Sequence, residues 1–175
     1  MITSGEHKLI IADELALKND LYDLAVAKKI TFKNGPGRTQ AITSPGEYEA
    51  YGIMVQVVPK KESAKIELFS LDIEGINVVF IDDLTTLPTK KILEQLGLNN
   101  ILIYKIHTSA DKIRDVVDTF EPEYLIPVTA NAEHFQVIVK KLGISLPEKQ
   151  TSISTTAEDF DETDEEKPLT LFILE

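Results

Sequence analysis

The chain has 175 residues, about one average domain, and its 18 lysines and arginines stand against 29 aspartates and glutamates for a formal charge of −11. An acidic surface of this kind repels phosphate backbones and anionic lipid, so nucleic acid and membrane are not expected partners. The absence of cysteine removes disulfides, thiolate nucleophiles and sulfur metal ligands, and fits a cytoplasmic protein.

The longest apolar runs, such as Leu9 to Ala12 and Val78 to Ile81, fall far short of the roughly 18 residues a bilayer span needs. Glu6, close behind Ile2, spoils a secretory signal. No repeat or linker is visible, and a single domain over residues 1–175 is expected.

In chain order, Lys8 to Ala12 reads as a buried strand, with Asp13 placed to cap the next element. From Glu14 to Lys29, Leu15, Leu21, Leu24 and Ala25 recur at near-helical spacing. This predicts a helix, or a turn and a helix, with Asn19 or Asp20 as a second cap. Lys29 to Lys33 and Gln40 to Thr43 read as strands around the turn Asn34-Gly35-Pro36-Gly37. Four further strands are predicted at Tyr48 to Tyr51, Ile53 to Val58, Ala64 to Ile73 and Ile76 to Ile81. Beyond Asp83 helix and strand alternate: helix over Thr89 to Leu96, strand over Asn100 to Tyr104, helix over Ala110 to Phe120, strand over Tyr124 to Val128, helix over Ala130 to Leu142. Such alternation implies helices packed on a sheet. A closing hairpin is predicted from Ser152 to Thr155 and Leu169 to Leu174, around the acidic loop Glu158 to Lys167.

The stretch Ser44-Pro45-Gly46-Glu47-Tyr48-Glu49-Ala50-Tyr51-Gly52-Ile53 resembles the G-P-G-E-Y-E-x-x-G-[VI] segment of bacterial metallo-β-lactamase-fold proteins, in the branch near the ascorbate-phosphate lactonases. Ile76 to Leu84 is similar to that family's I-x-I-C-H-L-G-D-L strand, and Leu93-Glu94-Gln95-Leu96-Gly97 comes next in the same order. Phe120-Glu121-Pro122-Glu123-Tyr124-Leu125-Ile126-Pro127 is similar to its L-E-P-K-I-V-I-P-M-H-Y. The resemblance implies an α/β fold, a metallo-β-lactamase-like layered helix-sheet sandwich. It also implies truncation at the amino-terminal edge, since Lys8 to Ala12 matches the strand just before the family's H-x-H-x-D-H motif.

In the place of that motif stands Asp13-Glu14-Leu15-Ala16-Leu17-Lys18, so Asp13, Leu15, Leu17 and Lys18 occupy the positions of the two His, the Asp and the third His. Asp83 matches the family's metal-bridging Asp, although Asp82 replaces the Gly before it, and Thr129 falls where the closing His is expected. Zinc needs about three or four N, S or O donors. Asp13, Lys18, Asp82, Asp83 and Thr129 thus outline a relic cleft, with Asp83 a weak metal candidate at most and no cofactor expected.

Each remaining feature has a plain reading. His7, His107 and His134 lack ligand spacing and are assigned to surface or packing. Asp82 and Asp83 at a strand end suit a turn or helix cap, or a relic carboxylate pair that would favour Mg²⁺ or Ca²⁺. Gly35-Pro36-Gly37-Arg38 lacks the lysine and setting of a phosphate loop. No nucleophile elbow frames Ser44, Ser63, Ser109 or Thr129, and no histidine can be placed beside them from sequence. The function expected is a metal-free binding or interaction module, through self-association or a protein partner. The alternative is an atypical hydrolase using Asp82, Asp83 and Lys18, or a weakly held cation.

Overall fold

The computed structural model describes residues 1–17, 21–33, 37–59, 66–82, 87–160 and 167–174; within these, the side chains of Asp13, Ile66 and Glu67 are not described. The chain divides into two compact units, Met1–Gly75 and Ile76–Glu175.

In the first unit, β1 (Ile2–Ser4) pairs antiparallel with β2 (His7–Leu17), which pairs in parallel with β3 (Leu24–Phe32), and β3 in turn with β4 (Gln40–Ile42). Among the described residues the helix expected between Glu14 and Lys29 does not form; its candidate caps Asn19 and Asp20 lie outside them. Two-residue alternation begun at Lys8 runs on through Glu14-Leu15-Ala16-Leu17, with Leu9 and Leu17 buried and Lys8, Glu14 and Ala16 exposed. Leu21, one of the residues that suggested a helical stripe, is exposed, and Leu24 to Ala27 form a continuous buried run. Asp13 therefore lies inside a strand, not at the start of a helix.

A second sheet region of this unit holds β5 (Gly46–Ala50), β6 (Ile53–Pro59) and β7 (Ile66–Ile73), all antiparallel. Ile53, Val55 and Val57 point inward while Met54 is exposed, the period-two pattern that the sequence carries. Ala50 faces Ile53, which leaves Tyr51-Gly52 as a two-residue turn with φ of +56° and +73°. A tyrosine is unusual at positive φ, and here its ring packs on His7 with centroids 4.6 Å apart. Gly46 opens β5 at φ +146°, and a Cβ there would lie 3.3 Å from the Tyr48 hydroxyl oxygen. That hydroxyl donates to the Ser44 carbonyl at 3.0 Å, so the Pro45-Gly46-Glu47-Tyr48 segment is a backbone device.

In the second unit β8 (Ile76–Asp82), α1 (Lys90–Leu96), β9 (Ile101–Lys105), α2 (Ile113–Phe120), β10 (Tyr124–Val128) and α3 (Glu133–Leu142) alternate as expected. The strands β8, β9 and β10 are parallel neighbours. Val78 to Ile81 are all buried, as befits a parallel strand covered on both faces. On α2, Ile113, Val116 and Phe120 form one buried stripe. Arg114 clamps α2 to α3, its Nε and Nη2 donating to the Lys141 carbonyl at 2.9 and 2.5 Å.

The closing hairpin is also corrected. After β11 (Lys149–Gln150), residues Ser152 to Thr155 form no strand; β12 (Thr170–Leu171) pairs in parallel with β10, and β13 (Ile173–Leu174) in parallel with β11. Leu171 and Ile173 turn inward, and Tyr124 packs against Phe160 and Phe172 at 4.9 and 5.0 Å between centroids. Thr155 and Thr156 instead anchor the 3-10 turn Ala157–Phe160: the Asp159 carboxylate accepts the Thr156 N–H at 2.8 Å and the Thr155 hydroxyl at 3.0 Å. Those bonds, the backbone one first, hold its carboxyl below the usual range. Burial, with Asp159 and Glu123 nearby, pushes the Tyr124 hydroxyl up. Of the acidic loop, residues 161–166 lie outside the described residues.

Two outcomes are expected. Leu102, fully buried in β9, should cost about 2–5 kcal/mol on replacement by alanine, read from urea unfolding; a loss below about 1 kcal/mol would contradict its place in the core. The Asp159 bonds contribute stability that is present in full above the unfolded value of 3.8 and is lost as pH falls through the lower folded value. In Thr155→Val the carboxyl should titrate at higher pH by NMR, and an unchanged midpoint would refute the hydroxyl's role.

Candidate functional site

In open α/β sheets ligands gather at the carboxyl ends of the parallel strands, where the loops leave the sheet. Here Asp82 ends β8, Lys105 ends β9 and Val128 ends β10, and the pairing sets Asp82 level with Lys105 and Lys105 level with Val128. Level residues of parallel neighbours project to one face. The chain stays extended past β9, since the Ile106 N–H donates to the Val128 carbonyl at 2.8 Å, and this carries His107 to the same carboxylate.

The Asp82 side chain is only 6% exposed. A carboxylate so poor in water needs partners, and these include His107 Nε2 at 2.5 Å and Lys105 Nζ at 3.6 Å, both on Oδ1. In a neutral ring this bond fixes the proton on Nε2, leaving Nδ1 as the acceptor, with no partner among the described residues. The ring is 41% exposed, so that nitrogen can meet a solute.

Beside this edge, past β10, Thr129 Oγ1 lies 2.7 Å from Nδ1 of the buried His134. The same oxygen accepts the Asn131 N–H at 3.1 Å, and Asn131 Oδ1 accepts the Glu133 N–H at 3.0 Å. The arrangement satisfies free N–H groups at the start of α3 and is a capping device in form.

Of the residues singled out from sequence, Asp82 and Thr129 stand at this edge, at the ends of β8 and β10 with β9 between them. Asp13 lies in β2 of the first unit; Lys18 and Asp83 lie outside the described residues. Asp82 does not cap α1, whose N-cap position is Thr89, and its carboxylate meets Lys105 and His107; the segment 83–86 that follows lies outside the described residues. Sequence reasoning missed Lys105, His107 and His134. The first two share a side at i and i+2, but only the cross-strand register reveals that Asp82 stands opposite. Ser109, one of the hydroxyls weighed as a nucleophile, donates to Asp111 Oδ2 at 2.8 Å and accepts the Asp111 N–H at 3.1 Å, so it serves the turn into α2.

Such an edge does not fit a zinc ion. Among the described residues it offers one carboxylate and one imidazole, with an ammonium against the same oxygen. Among the described residues no group of three or more His, Cys, Asp or Glu is placed to hold a metal.

Among solved structures, the chain is similar to a Thermotoga maritima protein described as a candidate Zn-dependent hydrolase of the metallo-β-lactamase superfamily, with a TM-score of 0.70 and 16% identity over 98% of this chain and 92% of that one. A CmlA β-hydroxylase variant matches with a TM-score of 0.46 and 12% identity over 78% of this chain and 32% of that one, too low to establish a shared fold. No protein-family model matches the sequence and no curated protein does. The first likeness, nearly end to end in both chains, establishes the metallo-β-lactamase fold. At that identity it establishes the fold alone. No helix among the described residues is long and apolar enough to cross a membrane.

Asp82→Ala should lower stability by about 1–2 kcal/mol in urea unfolding, because Lys105 and His107 lose the buried carboxylate they share. A change indistinguishable from zero would show that the cluster holds nothing together.

Proposed function

We propose that this chain is a metallo-β-lactamase superfamily member that has left metal-dependent hydrolysis and acts as a binding or interaction module, through self-association or a protein partner. The observation that carries this reading is the occupation of the strand-end carboxylate: Asp82 is held by Lys105 and His107, where a metalloenzyme would keep donors open to an ion. The replacement of the H-x-H-x-D-H motif by Asp13 to Lys18, and Thr129 in the place of the closing His, support it from sequence. Val128, 44% exposed and level with Lys105, gives the edge an apolar contact beside its charges. The charge of −11 points to a protein partner in preference to nucleic acid or membrane.

One observation favours a second reading, an atypical hydrolase. The Asp82–His107 pair has the form of an oriented base, with the outer ring nitrogen free to take a proton from water. The two are separated by a metal analysis of protein purified without chelator, its mass by light scattering, and assays on lactones and phosphodiesters. A metal-free dimer, or a metal-free complex with a recovered protein, lacking hydrolysis is the expected result. Near-stoichiometric zinc or manganese together with hydrolysis would sink it. Metal-free hydrolysis abolished by His107→Ala in a stable protein would establish the second reading instead.

A further inference from the structure

Two side chains of the kinds that hold a transition metal face each other at the ends of β8 and β9, Asp82 Oδ1 and His107 Nε2, 2.5 Å apart. Against the same oxygen, at 3.6 Å, stands the Lys105 ammonium, which has no lone pair to ligate and repels a divalent ion. We propose that this cluster is a latent metal half-site closed by Lys105, whose ammonium keeps an ion off the edge. The proposal rests on the metal-free reading above and names the side chain that enforces it.

The geometry supplies the elements of an open site. Lys105 is level with Asp82 across the β8–β9 pairing, and Lys105 and His107 both reach Oδ1, so residues 105 and 107 project to one side. An imidazole at position 105 would stand beside the two donors already there. The set would then be two nitrogens and one carboxylate, the protein ligand count of an open zinc site, with the remaining position left to solvent. Lys105 is 29% exposed and His107 41%, so an ion has a way in from water without unfolding the edge.

Wild type, Lys105→His and Lys105→Met are compared in zinc titrations against a chromophoric chelator, with thermal midpoints measured with and without zinc. Lys105→His should bind one zinc per chain at least about tenfold tighter than wild type and gain thermal stability with the ion, and adding His107→Ala should abolish both gains. Lys105→Met removes the charge and keeps the stem, so it should bind zinc tighter than wild type but weaker than Lys105→His. Should Lys105→His fail to fold, Lys105→Met decides: affinity equal to wild type overturns the proposal. Equal affinity of Lys105→His and wild type overturns it too. Tight zinc on wild type without hydrolysis sinks the closure by Lys105 and leaves the non-catalytic reading standing. Tight zinc with lactone or phosphodiester hydrolysis sinks both.

Discussion

The level ending of β8, β9 and β10 is set at their other end. Asn77 and Asn100 fasten the amino ends: the Asn77 N–H donates to Asn100 Oδ1 at 2.8 Å, Asn77 Nδ2 to the Leu96 carbonyl at 2.6 Å, and Asn100 Nδ2 to Glu123 Oε1 at 3.2 Å. Backbone bonds continue the ladder from Asn100 to Asn77 and from Tyr124 to Asn100. With register pinned there, a slip of one residue is blocked, and such a slip would turn every side chain to the opposite face. Asp82, Lys105 and Val128 consequently share one face at the far end. The chemistry of the edge is a result of that register.

Support from behind is of the same kind. Arg114 closes the last turn of α3 onto α2, and α3 ends at Gly143 with φ +72°, its N–H donating to the Val139 carbonyl. Glu133 in the first turn and Lys140 and Lys141 in the last agree with the helix dipole. Thr129, His134 and Asn131 fix where β10 gives way to α3. An edge tied down in this way holds Lys105 and His107 near Asp82 without asking the exposed side chains to order themselves.

Much of the second unit is legible in the sequence because each element carries one period. The buried run Val78 to Ile81, the stripe Ile113, Val116 and Phe120, and Tyr124 to Val128 each fit a single structure. Residues 14 to 29 do not: leucines at 15, 17, 21 and 24 satisfy both a loose helical stripe and two strands, and only the burial of Leu17 beside the exposure of Leu21 separates the two. The closing segment misleads for another reason. Two parallel pairings to distant strands replace a local hairpin, and no local pattern encodes a distant partner. The site is half legible. Asp82 and Thr129 come from motif positions, whereas Lys105 and His107 acquire meaning only through the strand they face.

Magnitudes support the proposal that the cluster keeps an ion out. A structural zinc site with four donors yields about 10–16 kcal/mol, so two donors supply roughly half of that or less. A divalent charge about 4 Å from an ammonium is repelled by about 8 kcal/mol at an effective dielectric near 20, which is of the same size and opposite in sign. Lys105 could swing into water to relieve the repulsion, since it is 29% exposed. It would then leave the poorly hydrated Asp82 carboxylate, and the ion would have to displace the His107 proton as well, because Nε2 cannot both donate to Asp82 and ligate. Each route removes as much as the metal provides. The ammonium and the imidazole proton satisfy the buried charge with groups the chain already carries, and an edge neutralised from within is free to change its outer surface without losing its support.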